Sequence, residues 1–433
     1  MLLLYPSLTL LFIYLFFLWC LYKRNRSNLF GEIGVIYMGL FLAYTIIPAL
    51  GFYLSTFNEN DVLGNLLPST QELSVHLWRH VLFGFAIAVG YLMNRGNLQL
   101  STIKIKVPHI DISIVLLIVF TFLSIIYITI NSGKVNDYYD NFSRFDHLSW
   151  FGKKVASLIL RMKYGLYAVL IAFLYIRKKN IYFSLFIVSL ICFYEITYSL
   201  GARIISLMII LQAVAIYNFT NNKISFKKGL FALLFLGIFF SVLEKFRESE
   251  FSFSDTKSTI SSDGIKAASE FGSVYFPGYH LYLERTKNRI PATEWPMFFN
   301  DIISIFTFGD FDRWNPMGWY TKNYYPEKTV APFTIGPIAE SAIWGGEIDL
   351  FVRGLINGLF FAFLVKWYIR NKEKWWVLII YTYCYATCIM TMKYSVFYQL
   401  TPIVRNILPI IVLIKIVHYF LARMQSRKLS ITY

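Results

Sequence analysis

Apolar runs of about 20 residues recur along almost the whole chain, and most of them stop at a cluster of basic residues. The first run, residues 2–21, is followed at once by Lys23, Arg24 and Arg26. About 20 apolar residues are what an α-helix needs to cross the hydrocarbon core of a bilayer. Only 15% of the residues are charged, whereas soluble domains contain about a quarter. The pattern therefore predicts an all-α polytopic membrane protein.

About eleven transmembrane helices are predicted from these runs. They cover residues 2–21, 33–52, 76–93, 112–130, 155–176, 181–198, 204–219, 230–244, 350–369, 375–392 and 402–422. Basic residues collect in every second connection, and cytoplasmic loops carry such an excess. The N-terminus is therefore predicted to be periplasmic and the C-terminus cytoplasmic. Because the basic cluster follows the first run instead of preceding it, we expect the first helix to be retained and not cleaved as a signal peptide.

One long stretch, residues 246–349, contains no clear span and mixes acidic, basic and aromatic residues. We predict it to be a large periplasmic loop that carries much of the chemistry. The chain then divides into residues 1–245 with helices 1–8, the loop 246–349, and residues 350–433 with helices 9–11 and a cytoplasmic tail. The net charge of +16 is assigned to membrane topology, because no water-exposed basic domain that could bind nucleic acid is visible.

Basic side chains also occur at the predicted outer ends of separate helices, where the topological bias disfavours them. Arg203 stands at the start of the seventh span, where free backbone N–H groups add positive potential. The full set is Arg203, Arg247, Arg161, Lys163, Lys393 and Arg405. An anionic group such as a phosphate or pyrophosphate at the outer leaflet would explain this set. The alternative is that the side chains only snorkel to the interface or anchor helices.

Two residues of the long loop are candidates for proton transfer. Glu340 lies in the apolar segment of residues 331–346, where burial would raise its pKa towards that of a useful base. Its alternative is a carboxylate paired with an arginine. His280 is the second candidate, and its alternative is a hydrogen-bonded loop residue. The sequence shows no nucleotide-binding glycine loop and no zinc pattern, and the four cysteines lie in apolar runs where packing is the expected role.

The segment of residues 306–328 is rich in aromatic side chains. Sugar faces stack on aromatic rings, so Trp314, Trp319 and Tyr320 are predicted to help form a sugar-binding cleft. The alternative is that these rings dip into the membrane interface, where tryptophan and tyrosine are enriched.

Three short motifs resemble the Wzy-type O-antigen and repeat-unit polymerases, including the enterobacterial common antigen polymerases. They are GAR at residues 201–203 before an apolar helix, FRESE at residues 246–250, and APFTIGPIAESAIWGG at residues 331–346. Glu340 falls where many members have an acidic residue, although the common antigen polymerases have serine there. The number of spans and the single late periplasmic loop also resemble this family over most of the chain.

The resemblance implies a GT-C-like membrane glycosyltransferase in the bacterial inner membrane. Its substrate would be an oligosaccharide repeat unit on undecaprenyl pyrophosphate, and its product O-antigen or a similar surface polysaccharide. No metal and no cofactor are expected, because arginines would stabilise the pyrophosphate. A chain-length regulator and a flippase of the same pathway are the implied partners, besides membrane lipid.

Three other readings stay open from the sequence. An O-antigen ligase has a similar outline and a similar donor. A flippase or transporter of lipid-linked oligosaccharide would need charges along the middle of its helices, and often shows two related halves. A non-catalytic protein of polysaccharide export is the third. The position of the charges at one face favours chemistry at that face.

Overall fold

The computed structural model describes residues 2–24, 28–53, 69–100, 105–133, 145–177, 181–198, 203–220, 269–300, 302–303, 315–326 and 334–431. The described residues form helices and no strand. The predicted eighth span at 230–244 lies outside these residues, as does most of the first part of the long loop.

Thirteen helices are numbered here in chain order. They are α1 Leu4–Arg24, α2 Ile33–Tyr53, α3 Thr70–Arg95, α4 Ile110–Asn131, α5 Trp150–Arg177, α6 Ile181–Tyr198, α7 Arg203–Thr220, α8 Ser269–Thr286, α9 Pro316–Tyr324, α10 Pro337–Ile343, α11 Glu347–Arg370, α12 Trp375–Thr387 and α13 Leu408–Ile431. Shorter helical pieces are the 3₁₀ turns Leu29–Gly31 and Trp295–Phe299, the turn Met390–Lys393, the turn Leu400–Pro402 and the π-helix Ile403–Ile407.

Seven helical segments in the described part of the chain are long and apolar enough to cross a membrane. They are α1 to α5, α11, and the continuous helical segment Leu400–Gln425 that contains the start of α13. Two shorter apolar segments, Ile181–Thr197 and Ile205–Thr220, correspond to the predicted sixth and seventh spans. The polytopic membrane character predicted from the sequence is thus confirmed at the level of these helices.

The predicted tenth span is not one continuous helix. Helix α12 ends at Thr387, and after two residues a separate turn, Met390–Lys393, follows. The hydroxyl of Thr387 donates a hydrogen bond to the side-chain oxygen of Gln399 at 2.8 Å, and that of Thr391 donates to the Cys388 carbonyl at 2.7 Å. Such side-chain bonds compete with the helical ladder, and they satisfy polar groups where the helix breaks.

Contacts between helices divide the chain into two compact units. The first unit comprises Met1–Ser101, Ile224–Arg370 and Thr387–Gln399, and the second comprises Thr102–Lys223, Asn371–Ala386 and Leu400–Tyr433. The units are discontinuous in sequence, whereas the three predicted domains follow chain order. The large predicted loop contributes α8, α9 and α10 to the first unit.

In the first unit, α3 and α11 run parallel and their backbones touch. A Cβ atom on Gly358 would lie 2.2 Å from the carbonyl oxygen of Ile87, and one on Gly90 would lie 2.4 Å from that of Leu355. Gly354 and Gly358 are four residues apart, and small residues at this spacing let membrane helices approach closely. Glycine therefore fixes how α11 is rotated, and with it which of its polar side chains face the interior.

A buried ion pair ties Glu32, the residue directly before α2, to the end of α3. Arg95 donates to Glu32 through Nη2 at 2.6 Å and through Nε at 2.8 Å, and the Tyr91 hydroxyl donates to the same carboxylate. Both charged side chains are at most 1% exposed. Breaking one partner of such a pair leaves an uncompensated buried charge, so we assign the cluster a structural role.

In the second unit, α5 is the most enclosed of the candidate spans. It packs against α4, α6, α7 and the π-helix. Lys163 of α5 forms a 2.6 Å ion pair with Glu195 of α6, and both side chains are fully buried. The Tyr167 hydroxyl donates to the same carboxylate at 2.8 Å. This pairing joins α5 to α6 inside the predicted membrane region.

Candidate functional site

Two predicted basic residues, Arg161 of α5 and Arg405 of the π-helix, lie on elements that pack against each other in the second unit. Gly165 lies one helical turn after Arg161, and a Cβ there would sit 1.8 Å from the carbonyl oxygen of Asn406. The absence of a side chain at Gly165 is therefore what lets the π-helix lie directly against α5.

The π-helix at Ile403–Ile407 has a cause in the sequence. Pro409 has no N–H, and its ring would clash with the carbonyl of residue 405 in a regular α-helix. The backbone widens instead, and the Leu408 N–H donates to the carbonyl of Ile403, five residues earlier. Such π-bulges are frequent at functional sites. Here the bulge falls on Arg405 itself.

The guanidinium of Arg405 is incompletely satisfied. Its Nε and Nη2 atoms are buried and have no hydrogen-bond partner among the described residues. These two N–H groups lie on one edge of the guanidinium plane, which is the fork that binds carboxylate or phosphate with two parallel bonds. With a second arginine beside it, this edge has the charge and the geometry to hold a phosphate-type anion.

Glu340, the predicted proton-transfer residue, is buried in α10 of the first unit. It is paired with Arg353 of α11, and both side chains are at most 5% exposed. Arg353 also donates through Nε to Asp349 at 2.7 Å, and its guanidinium lies 4.7 Å from the centre of the Phe298 ring. The arginine-paired carboxylate that was the alternative for Glu340 is thus what the structure shows.

The junction between α10 and α11 is held by α8. Arg285 donates through Nη1 to the carbonyl of Ala342 at 2.8 Å and to that of Trp344 at 3.2 Å. These are carbonyls at the C-terminal end of α10, where the helix supplies no partner. Gly346 then turns the chain with φ of 65°, a conformation that favours glycine. Together these contacts fix α10, which carries Glu340, next to the start of α11.

A cleft opens beside Glu340 in the first unit. Its walls are formed by Met297, Phe298, Asn300, Asn315, Pro316, Met317, Ile335, Glu340, Tyr394 and Ser395. Lys393, another predicted basic residue, is buried and directly precedes the last two of these in the chain. The cleft is therefore lined by a carboxylate, amide and hydroxyl groups, and aromatic rings.

His280 and Tyr320 form a second buried pair in the first unit. The His280 Nδ1 atom and the Tyr320 hydroxyl share a hydrogen bond of 2.8 Å, and the Tyr324 ring lies 4.8 Å from the imidazole. Burial lowers the pKa of His280; nearby Glu284 acts in the opposite direction, and Lys287 lowers the pKa further. Burial also raises the pKa of Tyr320. Both groups are therefore neutral near pH 7, and neither ring lines the Glu340 cleft.

The remaining predicted site residues are distributed as follows. Trp319 is half-buried, and its Nε1 donates to the carbonyl of Ala292 at 3.4 Å. Tyr320 has no exposed surface. Arg203 is the first residue of α7, and its side chain lies outside the description. Arg247 and Trp314 lie outside the described residues.

Sequence reasoning missed Arg353 and Glu195. Both are charged residues inside predicted spans, and such residues are functional candidates in their own right. Arg353 follows Asp349 by four residues, a spacing that places both on one helix face. Lys163 was assigned to pyrophosphate binding, and the structure instead shows it paired with Glu195.

Among the described residues no group of three or more histidine, cysteine or acidic side chains is arranged to hold a metal ion. No model of a known protein family matches the chain, and comparisons with curated proteins and with solved structures find no match either.

Proposed function

We propose that the protein is a glycosyltransferase of the bacterial inner membrane that joins undecaprenyl-pyrophosphate-linked repeat units into O-antigen or a similar surface polysaccharide. The observation that carries the proposal is the guanidinium of Arg405, whose Nε and Nη2 atoms are buried and have no partner among the described residues, on an element packed against the helix that carries Arg161. A buried cationic edge in a largely apolar protein is unfavourable unless an anion joins it. The predicted topology assigns both residues to the periplasmic ends of their helices, where the lipid pyrophosphate would lie.

The reaction that fits this site transfers a glycan between two lipid-linked units. A hydroxyl oxygen of the acceptor sugar attacks the anomeric carbon of the donor glycan. The bond from that carbon to the pyrophosphate oxygen breaks, undecaprenyl pyrophosphate leaves with the bonding electrons, and the hydroxyl proton passes to a base or to water. Negative charge grows on the leaving group as the bond breaks, so arginine contacts there stabilise the transition state more than the bound donor.

Substitution of Arg405 tests the proposal. A charge-assisted hydrogen bond contributes about 1.5–3 kcal/mol, which corresponds to roughly one to two orders of magnitude in rate. In a deletion strain complemented with Arg405→Ala, we expect the polysaccharide ladder to collapse to one repeat unit per lipid. Arg405→Lys should recover only part of the ladder, because it restores the charge without the two-pronged edge.

Arg177 provides the matched control, since it lies at the opposite end of α5 and is paired with Asp111 at 2.7 Å. Arg177→Ala should leave the ladder long at equal protein level. A full ladder from Arg405→Ala at the wild-type protein level would refute the pyrophosphate role. A deletion strain with no decorated lipid at all would point to a ligase or a flippase instead of a polymerase.

A further inference from the structure

We infer that the cleft beside Glu340 binds the terminal sugar of the acceptor, a neutral ring rich in hydroxyl groups. This inference rests on the proposed function and adds to it a second substrate site, built entirely from residues of the first unit. The cleft is partly open to solvent, and its lining mixes polar and apolar residues, which suits one sugar ring better than a lipid chain.

The guanidinium beside the cleft is already engaged. Arg353 is paired with two carboxylates, those of Glu340 and Asp349. Because its Nε and Nη1 atoms bond these carboxylates, it does not offer a phosphate the open two-pronged edge that Arg405 has. A neutral ligand that donates hydrogen bonds to a carboxylate is favoured there, and sugar hydroxyls are such donors.

The polar groups of the cleft fit hydroxyl recognition. Asn315 uses its side-chain oxygen to accept from the Met317 N–H at 3.0 Å, so its NH₂ group is left to donate. The side-chain amide of Asn300 lines the cleft and has no hydrogen-bond partner among the described residues. One amide offers both donor and acceptor atoms, which matches a hydroxyl that can do both.

An aromatic wall completes the site. The Phe298 ring is held by the Arg353 guanidinium and by edge-on contacts to the rings of Phe299, Trp344 and Phe397, with ring centres 4.8, 5.7 and 6.4 Å away. Such contacts fix the ring before a ligand arrives, which lowers the entropy cost of binding. An aromatic ring in the same cleft as amide and carboxylate groups suits a sugar, which can place C–H groups on the ring and hydroxyl groups on the polar side chains.

Arg353 acts in this site through Glu340. It fixes the carboxylate by direct pairing, and its own Nη2 atom is buried without a partner among the described residues. We assign it as a positioning residue. The carboxylate it holds is where the acceptor hydroxyl would donate its hydrogen bond.

The test measures acceptor binding and donor binding separately. It uses the full chain in lipid nanodiscs and two probes. The donor is the undecaprenyl-pyrophosphate repeat unit from the deletion strain. The acceptor probe is the free repeat-unit oligosaccharide released from it by mild acid, which has no pyrophosphate and therefore cannot donate. Asn300→Ala should raise the KM for the free oligosaccharide roughly fivefold to tenfold, where tenfold corresponds to about 1.4 kcal/mol, and leave the donor KM unchanged. Asn323→Ala is the matched control, because Asn323 is exposed and, in the part of the chain that the structure describes, bonds only the Trp319 carbonyl.

Binding of the free oligosaccharide, measured by saturation-transfer NMR, keeps the test independent of turnover. Wild-type protein should give a signal that Asn300→Ala and Phe298→Leu weaken and Asn323→Ala does not. Equal signals and equal acceptor KM values for Asn300→Ala and wild type would overturn the acceptor site. Binding at the cleft without polymer from wild-type protein would overturn the proposed polymerase and leave the sugar site standing.

Discussion

At the residue scale, His280 shows how burial sets the protonation state of a candidate site. Its imidazole shares a hydrogen bond with the buried Tyr320 hydroxyl, and desolvation is the largest cause of its lowered pKa. In the unfolded chain the same histidine would titrate near 6.5. Between these two pKa values the unfolded state binds more protons, so the free energy of unfolding falls as the pH drops below about 6.5.

We therefore predict that His280→Gln reduces the loss of stability on acidification. Glutamine is neutral at every pH used, so the variant has no proton to bind at this position. The midpoint of thermal unfolding of the detergent-solubilised protein should fall less between pH 7.5 and pH 5 in the variant than in wild type. His76 and His80 are present in both proteins, so the comparison of the variant with wild type isolates the contribution of His280. Identical losses in the two proteins would contradict this account.

At the element scale, the packing of α3 against α11 depends on glycine. Gly358→Ala would place a Cβ 2.2 Å from the Ile87 carbonyl oxygen, and backbone cannot yield as a side chain can. Overpacking of this kind costs about 1–3 kcal/mol. Gly39→Ala is the matched control, since its nearest neighbour is the far end of the Tyr14 side chain at 3.0 Å.

We expect Gly358→Ala to lower the thermal midpoint by several degrees, since 1 kcal/mol shifts the midpoint of larger soluble domains by about 2–4 °C, and to reduce the monodisperse fraction on size exclusion. Gly39→Ala should stay close to wild type, because alanine gains helix propensity over glycine. A Gly358→Ala protein as stable as the control would mean that α3 and α11 do not pack as closely as the structure shows.

The interface between α3 and α11 shows which part of the structure hydropathy could not predict. Helix positions followed from apolar length, and the start of α3 carries a capping box of Ser69 and Glu72 that can be read from sequence. The partner of Glu340, in contrast, depends on the rotation of α11. Because the lipid-facing side of a membrane helix is apolar as well, hydrophobic periodicity reveals the interior face less clearly than in a soluble protein. The sequence indicated Glu340, Arg161 and Arg405 as candidates, and only packing showed that Arg353 holds the first and that the other two adjoin.

At the scale of the whole molecule, helix directions in the first unit agree with the charge pattern. Leu2 and Ser74 meet at one end of α1 and α3, and Arg24 donates to the Leu92 carbonyl at 2.7 Å at the other end. The two helices are thus parallel, and α11 runs parallel to both. All three finish in an arginine within their last turn.

Parallel α3 and α11 need an odd number of membrane crossings between them. The predicted order of spans places five crossings between them, namely spans four to eight. The eighth span lies outside the described residues. The positive-inside rule predicts that the basic ends lie in the cytoplasm, and so that α3 and α11 start in the periplasm. Most residues of the carboxylate cleft come from the loop region that precedes α11, so this orientation places the cleft on the periplasmic side.

Single cysteines in a background without Cys20, Cys192, Cys384 and Cys388 test this orientation. Gln71→Cys and Lys322→Cys should react with a membrane-impermeant maleimide in intact spheroplasts, because both positions are exposed and are assigned to the periplasm. Lys372→Cys, just beyond the basic end of α11, should react only after the membrane is permeabilised. Labelling at position 372 in intact spheroplasts would reverse the orientation of α11. It would also place Glu340 and its cleft on the cytoplasmic side, away from the glycans of the periplasmic leaflet, and the proposed polymerase activity would then have no access to its substrate.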